Sequence, residues 1–481
     1  MIPLILISKI RLNNTTINRI IMKQRNIIMT AFAMVFAIAM GSCHIYKKFE
    51  LPDTGISAEI AEAQKQEVDS LALGNLEWDK VFTDPQLQAL IQIALDKNVD
   101  LENARLNVEM ANAQLLGAKL NYLPQFSLSP NVGTASYGGS KITKDSWSYQ
   151  IPANASWQID LFGGLLNGKR KAQASVLQTK NYQQAVRSNI ISAVANCYYT
   201  LVMLNKQLEL SKETAELWGQ SVQTMSDLKE SGRYTEVAVV QSKANYAAIQ
   251  AQIPALELQI HQTQSTLSLL LNSMPQTWTI DTDYQPTFPK YIEEGVPMKY
   301  LAIRPDVKAA EQAFAIAYYS TNEVRSSFYP NITISANGGF TNLIGSVIMN
   351  PGKWFYQLAA SLAMPLFRSQ NIANLKSAKA AQQQALNTFE YTVMSASAEV
   401  SDALVSYNNN AERVKLLDEQ VKNLEKAVEY NNDLLSLGTA TYLEVLTAQQ
   451  SLLSAQMSKL QCDLAAKQSA ISLYQSLGGG R

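Results

Sequence analysis

The sequence predicts a mainly helical chain with a small membrane β-barrel portion and two internal repeats. Three observations predict this fold class: a segment that occurs twice, strands that alternate apolar and polar residues, and two very long helical runs without proline. Charged residues make up only 17% of the 481 residues, and the formal net charge is zero. The chain therefore lacks the basic surface of a nucleic-acid-binding protein.

The internal repeat relates residues 98–133 to residues 304–339 at a constant offset of about 206 residues. The same offset later relates Gly232 to Gly438, with small slips between. Each copy has the pattern of a helix, short alternating strands, a very long helix, a tight turn and a returning helix. The recurrence predicts two fused halves of one body.

Two candidate strands lie in each half, at residues 126–132 and 147–161 and at residues 332–334 and 354–366. In the longer strand of each half every second residue is apolar, as a strand between lipid and water requires. Aromatic residues near the strand ends match the girdles of membrane interfaces. A half-buried hairpin of a soluble protein also alternates, but these strands exceed the usual length of about 5–6 residues.

Four strands per chain cannot close a barrel, and open sheet edges are not tolerated in lipid. The chain is therefore expected to share one barrel with copies of itself. Three copies would supply about twelve strands, which lies within the range of outer-membrane barrels.

Residues 165–230 and 371–435 contain no proline and are predicted to form continuous helices. At 1.5 Å per residue each would reach roughly 100 Å. Residues 396–435 carry a heptad seam, and residues 443–464 repeat it on the returning helix. A coiled-coil stalk has similar seams, but a stalk does not explain strands threaded between its helices.

The N-terminal region has the pattern of a bacterial lipoprotein signal. A basic start at Met22 precedes the apolar run 27–39, which is too short to span a bilayer. Small residues stand directly before Cys43, so cleavage there and acylation of Cys43 are expected; an ordinary secretory signal with an incidental cysteine is the alternative. Residues 1–42 are then a leader with its true start at Met22, and residues 43–83 a lipid-anchored, extended tether.

Signals of an enzyme are absent from the sequence. His44 and His261 are the only histidines, so a metal or acid–base site has almost no imidazole groups to use. No glycine-rich phosphate loop occurs. Cys197 and Cys462 lie inside helical runs and are predicted to be small buried apolar residues, with a disulfide between them left open. No catalytic residue, metal site or cofactor is therefore predicted.

Several short motifs occur in a fixed order along the chain. They are Tyr46-Lys47-Lys48, Trp78, Phe82-Thr83-Asp84-Pro85-Gln86-Leu87, Asn98-Val99-Asp100-Leu101, Arg304-Pro305-Asp306-Val307, Ala310-Glu311 and Leu473-Tyr474-Gln475-Ser476-Leu477-Gly478-Gly479-Gly480. With this ordered set the chain resembles the TolC-type outer-membrane efflux channels, in particular their lipid-anchored branch, over nearly everything after Met22. Each motif alone is weak, and the set together is specific.

The resemblance implies a homotrimer that forms a 12-stranded outer-membrane β-barrel joined to a long periplasmic α-helical barrel. It also implies that the tips of the helix hairpins contact a periplasmic adaptor, with simple turns as the alternative. The tip residues are Gly232, Arg233, Tyr234, Thr235, Gly438, Thr439, Ala440 and Thr441. A left-handed glycine ends each long helix, and small polar neighbours leave the tip flat.

The family closes its tunnel near the tips with a ring of side chains that is often acidic. The gate candidates in the matching stretch are Tyr430, Asn431, Asn432 and Asp433. Asn432 lies at the position where the family usually has the acidic residue. Asp433 is one residue further along the helix, so its side chain is rotated by about 100° from that position. This departure argues against an acidic, cation-sensitive ring. A ring of hydrogen bonds between amide and tyrosine side chains is then the alternative way to seal the pore. The alternative role of Asp433 is an ordinary solvated charge at a helix end.

The resemblance further implies a passive exit duct for drugs or other small molecules in the outer membrane of a Gram-negative cell. Its partners would be an inner-membrane RND-type pump and a periplasmic adaptor (membrane fusion) protein. The alternative is the duct of an ATP-driven type I protein secretion system. Scattered methionines argue against dedicated copper or silver export. Two outer-membrane efflux repeats are expected at residues 84–275 and 303–481, joined by an equatorial linker at 276–302.

Overall fold

The computed structural model describes residues 46–53, 55–65, 76–134, 147–282, 284, 298–341, 353–364 and 368–480. Over these residues the chain is mainly helical. The helices are α1 (Gly55–Ala63), α2 (Trp78–Val81), α3 (Pro85–Lys97), α4 (Val99–Leu120), α5 (Gly164–Glu230), α6 (Glu236–Leu270), α7 (Met298–Leu301), α8 (Pro305–Ser326), α9 (Ser369–Ser436) and α10 (Tyr442–Ser476). The strands are β1 (Gln125–Leu128), β2 (Asn131–Thr134), β3 (Trp147–Ile159), β4 (Asn331–Thr341) and β5 (Lys353–Ala363). The predicted lipid-attachment residue, Cys43, lies outside the described residues.

Helices α3 and α4 begin where the sequence supplies caps. Asp84 precedes α3, and its Oδ1 accepts hydrogen bonds from two amides of the first turn, at 2.9 and 3.4 Å. Pro85 follows at the first helical position, where no amide proton is needed. The helical segment that begins at Pro85 is divided into two helices, α3 and α4, because Asn98 is extended and caps α4 through its side chain.

The predicted long helices are α5 and α9, with 67 and 68 residues. A short turn joins each to a returning helix of 35 residues, α6 or α10. None of the helices in the described ranges is both long and apolar enough to cross a membrane.

One antiparallel sheet contains all five described strands. Its order is β1-β3-β4-β5, and β2 pairs with β3 beside β1. The first predicted strand is divided into β1 and β2 near Pro130, a residue with no amide proton for strand pairing. Both pieces keep one register against β3, with Gln125 opposite Ser156 in β1. In β2, Asn131 lies opposite Gln150.

The register places apolar residues on one face of the sheet and mainly polar residues on the other. Phe126 lies opposite Ala155, which lies opposite Ala336, and Ala336 in turn lies opposite Leu358. The large side chains of this row are open to the surroundings, since Phe126 is 79% and Leu358 76% exposed. Soluble proteins rarely expose so continuous an apolar surface.

The described chain forms two compact units, and each contains residues from both halves. One unit holds the sheet and the adjoining helix ends; the other holds the remaining helical part with both hairpin tips. In the sheet unit, Phe162 stacks on Tyr329 with ring centroids 4.9 Å apart. Lys171 pairs with Glu323 at 2.5 Å. These contacts join the start of α5 to the end of α8.

The core of the helical unit includes the closing motif of the chain. Tyr474 is 1% exposed and packs edge-on against Phe82, with ring centroids 5.8 Å apart. Its hydroxyl accepts a hydrogen bond from the Gly480 amide at 2.7 Å and donates one to the Leu76 carbonyl oxygen at 2.9 Å. A Cβ atom on Gly479 would lie 2.4 Å from the Tyr474 ring. Glycine is therefore required where the backbone passes this ring.

The predicted tether at residues 43–83 is not extended throughout, because α1 and α2 lie within it. In α1, Ile60 is fully buried, and Ser57 Oγ donates a hydrogen bond to Glu390 Oε1 at 3.1 Å. Ile60 and Ala63 share the buried face of this helix. The segment is mainly polar, so its sequence did not indicate the short amphipathic helix that packs on the core.

The two cysteines in the described chain are both free. Cys462 is buried and Cys197 is half-buried, so the disulfide that the sequence left open is not formed. Burial raises the pKa of the Cys197 thiol, which keeps it in its less reactive protonated form.

Candidate functional site at the hairpin tips

Each long helix ends in a turn that depends on a glycine. Gly232 has a φ of +74° and Gly438 a φ of +73°, a left-handed conformation that costs glycine little. In the first turn, the Gly232 amide donates to the Lys229 carbonyl oxygen at 2.9 Å. The next amide, that of Arg233, donates to Leu228 at 2.9 Å. The second turn has the same pair of hydrogen bonds, so both helices end in Schellman motifs.

Charged contacts hold the returning helices to these turns. Lys229 at the end of α5 forms an ion pair with Glu236 at the start of α6 and, by hydrogen bonding, lowers the pKa of this carboxyl. At the second tip, Glu444 Oε2 accepts a hydrogen bond from the Thr441 amide at 2.6 Å. Each acid lies in the first turn of its helix, where the helix dipole favours a negative charge.

The two hairpins meet close to their turns in a small buried cluster. Met225 and Val239 of the first hairpin pack with Tyr442 and Leu446 of the second, and these four residues are called the tip cluster below. Tyr234 packs edge-on against Tyr442, with ring centroids 6.4 Å apart. Apolar burial and an aromatic pair therefore hold one hairpin against the other.

Tyr442 also supplies a polar contact between the hairpins. Its hydroxyl shares a hydrogen bond of 3.0 Å with Ser242 Oγ, and Ser242 is 2% exposed. Ser242 Oγ also bonds to the Ala238 carbonyl oxygen at 2.8 Å. If one hairpin slid past the other, the buried hydroxyl groups of Tyr442 and Ser242 would lose their hydrogen bond to each other, which is costly. The bond therefore fixes the position of one hairpin relative to the other.

The structure exposes most of the predicted tip residues. The exposed ones are Gly232, Arg233, Thr235, Gly438, Thr439 and Thr441, and the half-buried ones are Tyr234 and Ala440. The sequence reasoning missed Tyr442 and Ser242. One signal for Tyr442 was available, since an aromatic residue stands there while its counterpart in the other half, Glu236, is charged.

The gate candidates lie in the last two turns of α9, directly before the second tip. Tyr430 is 60% exposed, and Asn432 and Asp433 are also exposed. Asn431 is half-buried, and its Nδ2 donates a hydrogen bond to the Ala427 carbonyl oxygen at 2.7 Å. The amide of Asn431 is thus engaged within its own helix, while the other three side chains are open for contact.

Arg304 forms the most connected charged site in the helical unit. Its guanidinium contacts Asp306 Oδ2 and Glu399 Oε2, each at 2.6 Å, while its side chain is only 7% exposed. It also donates to the Ser476 carbonyl oxygen at 2.8 Å. Burial alone would raise the pKa of the Asp306 carboxyl, but the hydrogen bond and charge of Arg304 lower it.

The counterpart of Arg304 in the first half is Asn98, and both residues have the same role. Asn98 Nδ2 donates to the Leu270 carbonyl oxygen at 2.9 Å, and Leu270 is the counterpart of Ser476. Each residue thus ties the end of a returning helix, α6 or α10, to the start of another helix. Among the described residues, no group of three or more His, Cys, Asp or Glu side chains could hold a metal ion.

We expect Tyr442→Phe to weaken the contact between the hairpins by about 0.5–1.5 kcal/mol, because it removes one buried hydrogen bond and keeps the ring. Amide hydrogen exchange in residues 225–242 and 435–446 should become faster. Tyr234→Phe is the matched control, since the Tyr234 hydroxyl has no hydrogen bond in the described structure. Equal exchange in the two variants would show that the hydroxyl does not hold the hairpins.

The lowered pKa of Asp306 predicts a pH dependence of stability. Its ion pair contributes fully above the unfolded pKa of about 3.9 and is lost as the pH falls through the lower folded value. Asp306→Asn should therefore reduce the thermal midpoint by about 2–4 °C at pH 7, and the difference from the wild type should vanish in strong acid. Asp100→Asn, at the counterpart position, is the control, because the ion pair with Arg304 involves Asp306; it should change the thermal midpoint at pH 7 less than Asp306→Asn does. Parallel midpoints of wild type and Asp306→Asn at all pH values would contradict this assignment.

A family comparison connects this architecture to known proteins. The family described as "Outer membrane efflux protein" matches residues 90–273 and again residues 296–479. The two matches cover more than half of the chain.

Three curated relatives align over most of their length. The cation efflux system protein CusC of Escherichia coli O6:H1 is 27% identical over 452 residues, covering 92% of this chain and 97% of CusC. The pyoverdine export outer membrane protein OpmQ of Pseudomonas putida is 28% identical and covers 85% and 89%. The probable outer membrane lipoprotein SilC of Salmonella typhimurium is 26% identical and covers 84% and 88%.

A crystal structure of CusC superposes on the chain with a TM-score of 0.80 at 25% identity, covering 91% of this chain and all of the other. The predicted resemblance to the TolC-type channels is therefore confirmed, as is the outer-membrane location. The chain belongs to the outer membrane efflux protein family.

Proposed function

We propose that three copies of this chain share one closed β-barrel of about twelve strands in the outer membrane. The sheet supports this assembly, because its apolar face is exposed and neither edge is paired within the described chain. Lipid does not tolerate open edges, and four strand positions are too few for a closed barrel. This combination of an exposed apolar face and two open edges is the observation that carries the proposal.

The long helices would form the α-helical barrel of the same trimer in the periplasm. Equal returning helices of 35 residues in both halves support an internal duplication. We assign the outer-membrane efflux repeats to residues 84–275 and 303–481 and the equatorial linker to residues 276–302. Residues 43–83 would then be the lipid-anchored segment that precedes both repeats.

The function that this assembly supports best is a passive exit duct in a tripartite efflux system. An inner-membrane RND-type pump would supply the energy and a periplasmic adaptor would connect it to the duct, which would itself catalyse no reaction. The named relatives differ in cargo, since one is a cation efflux protein and another exports pyoverdine. Such different cargo on similar channels favours a duct for small molecules whose substrate is selected by the pump.

The tips are proposed as the adaptor-contact sites. Their backbone turns are stabilised by internal hydrogen bonds, so the exposed residues are presented without a cost of ordering on binding. The exposed and half-buried tip residues, from Gly232 to Thr235 and from Gly438 to Thr441, would meet the adaptor end-on. The neighbouring Tyr430, Asn432 and Asp433 would form the periplasmic gate, with Asn431 as a structural member of the same turn.

Cys43 is proposed as the lipid-attachment residue. Tyr46, three residues later, lies against the turn before α5, where a Cβ atom on Gly163 would be 2.9 Å from its ring. Arg170 of α5 donates to the Tyr46 carbonyl oxygen at 3.3 Å. These contacts fix the start of the described chain within the sheet unit. Because this unit is proposed to form the barrel in the outer membrane, a lipid attached to Cys43 would lie close to that membrane. SilC, a relative, is named a probable outer membrane lipoprotein.

Crosslinking in cells, followed by purification through a tag on this chain and mass spectrometry, tests the function. We expect recovery of an RND-type pump together with its adaptor. Recovery of an ATP-binding exporter would instead assign the chain to type I protein secretion. Arg233→Glu at the exposed tip should reduce recovery of the adaptor, while Arg413→Glu on the exposed surface of α9 serves as the charge-matched control.

The gate assignment predicts a change in conductance. Replacing Asn432 and Asp433 together by Ala should raise single-channel conductance in a planar bilayer, because it shortens two exposed polar side chains at the proposed constriction. Glu412→Ala, on the same helix and roughly 30 Å away, is the control. Unchanged conductance in the double variant would place the constriction elsewhere.

A further inference from the structure

The apolar face of the sheet ends at two aromatic residues. Trp157 lies near the end of β3 that leads into α5, and it lies opposite Ile334 on the apolar face. Its indole nitrogen donates a hydrogen bond to the Tyr122 carbonyl oxygen at 2.9 Å. Tyrosine and tryptophan favour the level at which a membrane changes from hydrocarbon to headgroups. Trp157 and Tyr122 therefore mark the end of the apolar face on the side of the helices.

Two lysines lie directly beside Tyr122. The Tyr122 amide donates a hydrogen bond to the Lys119 carbonyl oxygen at 3.3 Å, so Lys119 precedes Tyr122 by about one turn. The Lys169 ammonium lies 6.0 Å from the centre of the Tyr122 ring, at the limit of a cation–π contact. Lys119 is exposed and Lys169 is half-buried. Both lysines are therefore placed next to the end of the apolar face.

Arg170 brings two further lysines to this region. Its guanidinium donates hydrogen bonds to the Tyr46 and Lys47 carbonyl oxygens at 3.3 and 3.4 Å. These bonds hold the start of the described chain against α5, while Lys47 and Lys48 stay exposed. The group is called the cationic border below, and its members are Lys47, Lys48, Lys119, Lys169 and Arg170.

The cationic border carries charge that the described chain does not neutralise. None of its members forms an ion pair with an acid among the described residues, whereas the neighbouring Lys171 is paired with Glu323. Outside the strands, the acids in the described part of the sheet unit are Glu50, Asp160 and Glu323. The cations there are far more numerous: Lys47, Lys48, Lys119, Lys169, Arg170, Lys171, Arg325, Arg368, Lys376 and Lys379. The excess favours an anion from outside the chain.

The helix dipole does not explain these positions. Lys119 is in the last turn of α4, where the dipole favours a cation. Lys169 and Arg170 are in the second turn of α5, near the end that favours acids, and the first turn of α5 has no acid. Two members of the cationic border thus need another source of stabilisation.

The second half repeats the arrangement. The offset of 206 residues relates Lys119 to Arg325 and Arg170 to Lys376. Each half therefore has a cation in the helix before its strands and another in the helix after them. In the proposed shared barrel these cations would recur around the ring, at the level where the apolar face ends.

We infer that the cationic border binds the phosphate groups of anionic phospholipids in the leaflet nearest the helices. The headgroups of a bilayer lie just outside its hydrocarbon region, as the border lies just beyond the apolar face. Basic groups beside membrane-spanning segments bind such headgroups, and long lysine side chains can extend to them. The inference rests on the proposed shared barrel, because the border meets lipid if the sheet lies in the membrane.

Spin-labelled lipids can measure this preference. We would reconstitute the full-length protein in phosphatidylcholine bilayers and use electron paramagnetic resonance to distinguish lipid that contacts the protein from free lipid. Labelled phosphatidylglycerol, which is anionic, is compared with labelled phosphatidylcholine, which has no net charge. We expect phosphatidylglycerol to associate at least about twofold more strongly in low salt. High salt should weaken the preference, because ions screen exposed charges.

Two variants of equal net charge locate the preference. The border variant changes the lysines of the cationic border: Lys47→Gln, Lys48→Gln, Lys119→Gln and Lys169→Gln. Arg170 is retained, because it holds the start of the described chain. The control changes exposed lysines of the helical unit: Lys97→Gln, Lys243→Gln, Lys422→Gln and Lys426→Gln. The border variant should bind both lipids almost equally, with an unchanged amount of contact lipid, and the control should keep the preference.

The outcomes separate this inference from the proposed assembly. Contact lipid around the wild type without a preference for phosphatidylglycerol would overturn the inference and leave the shared barrel intact. A full preference in the border variant, or an equal loss in the control, would overturn the border as the binding site. A wild type without any contact lipid would overturn both the shared barrel and the inference.

Discussion

The pairing of β3 with β4 is the contact on which the rest of the sheet unit depends. It is the only described strand pair that joins the two halves, and it runs without interruption from Gln150 to Ile159. Because side chains alternate along a strand, this one register decides which residues of both halves share a face. It also requires glycine at position 339, where the two backbones leave no space for a side chain. The apolar face that the two halves share follows from this pairing.

In the helical unit, contacts at the helix ends add to the apolar core that the helix interiors form. Long helices with regular seams can slide along one another, and contacts at defined ends prevent this. Asn98 and Arg304 supply such contacts at the returning helices, one through an amide and the other through a guanidinium. Charge-assisted hydrogen bonds are roughly twice as strong as neutral ones. The second half therefore fixes the end of its returning helix more firmly than the first.

Much of the fold could be predicted from the sequence, because the signals were long and periodic. The bounds of the long helices agree to within two residues, since heptad spacing and the absence of proline extend over the whole element. The break at Asn98 was not predicted, because a single capping side chain ended a helix inside an unbroken apolar period. The same limit concealed α1, which packs on parts of the chain far away in the sequence. One of its contacts is the hydrogen bond from Ser57 to Glu390, more than three hundred residues later.

The candidate site was less predictable, because part of it depends on contacts between hairpins that lie far apart in the sequence. The glycines of the tips are visible in the sequence because a left-handed turn needs them. Ser242 is not visible, and Tyr442 is marked only by its difference from Glu236, its counterpart in the first half. The contact between Tyr442 and Ser242 joins residues 200 positions apart and follows no sequence period.

The backbone of the two tips is the same, but their side chains differ. Arg233 and Tyr234 occupy the first turn where Thr439 and Ala440 occupy the second. In the proposed ring of three chains, equal turns that carry unequal side chains would alternate around the proposed periplasmic end. A partner could then dock on every tip through the shared backbone geometry and still distinguish the two kinds by charge and size. The two tips thus share the contacts that build their turns, while their exposed positions differ and, in the proposed function, would specify what binds there.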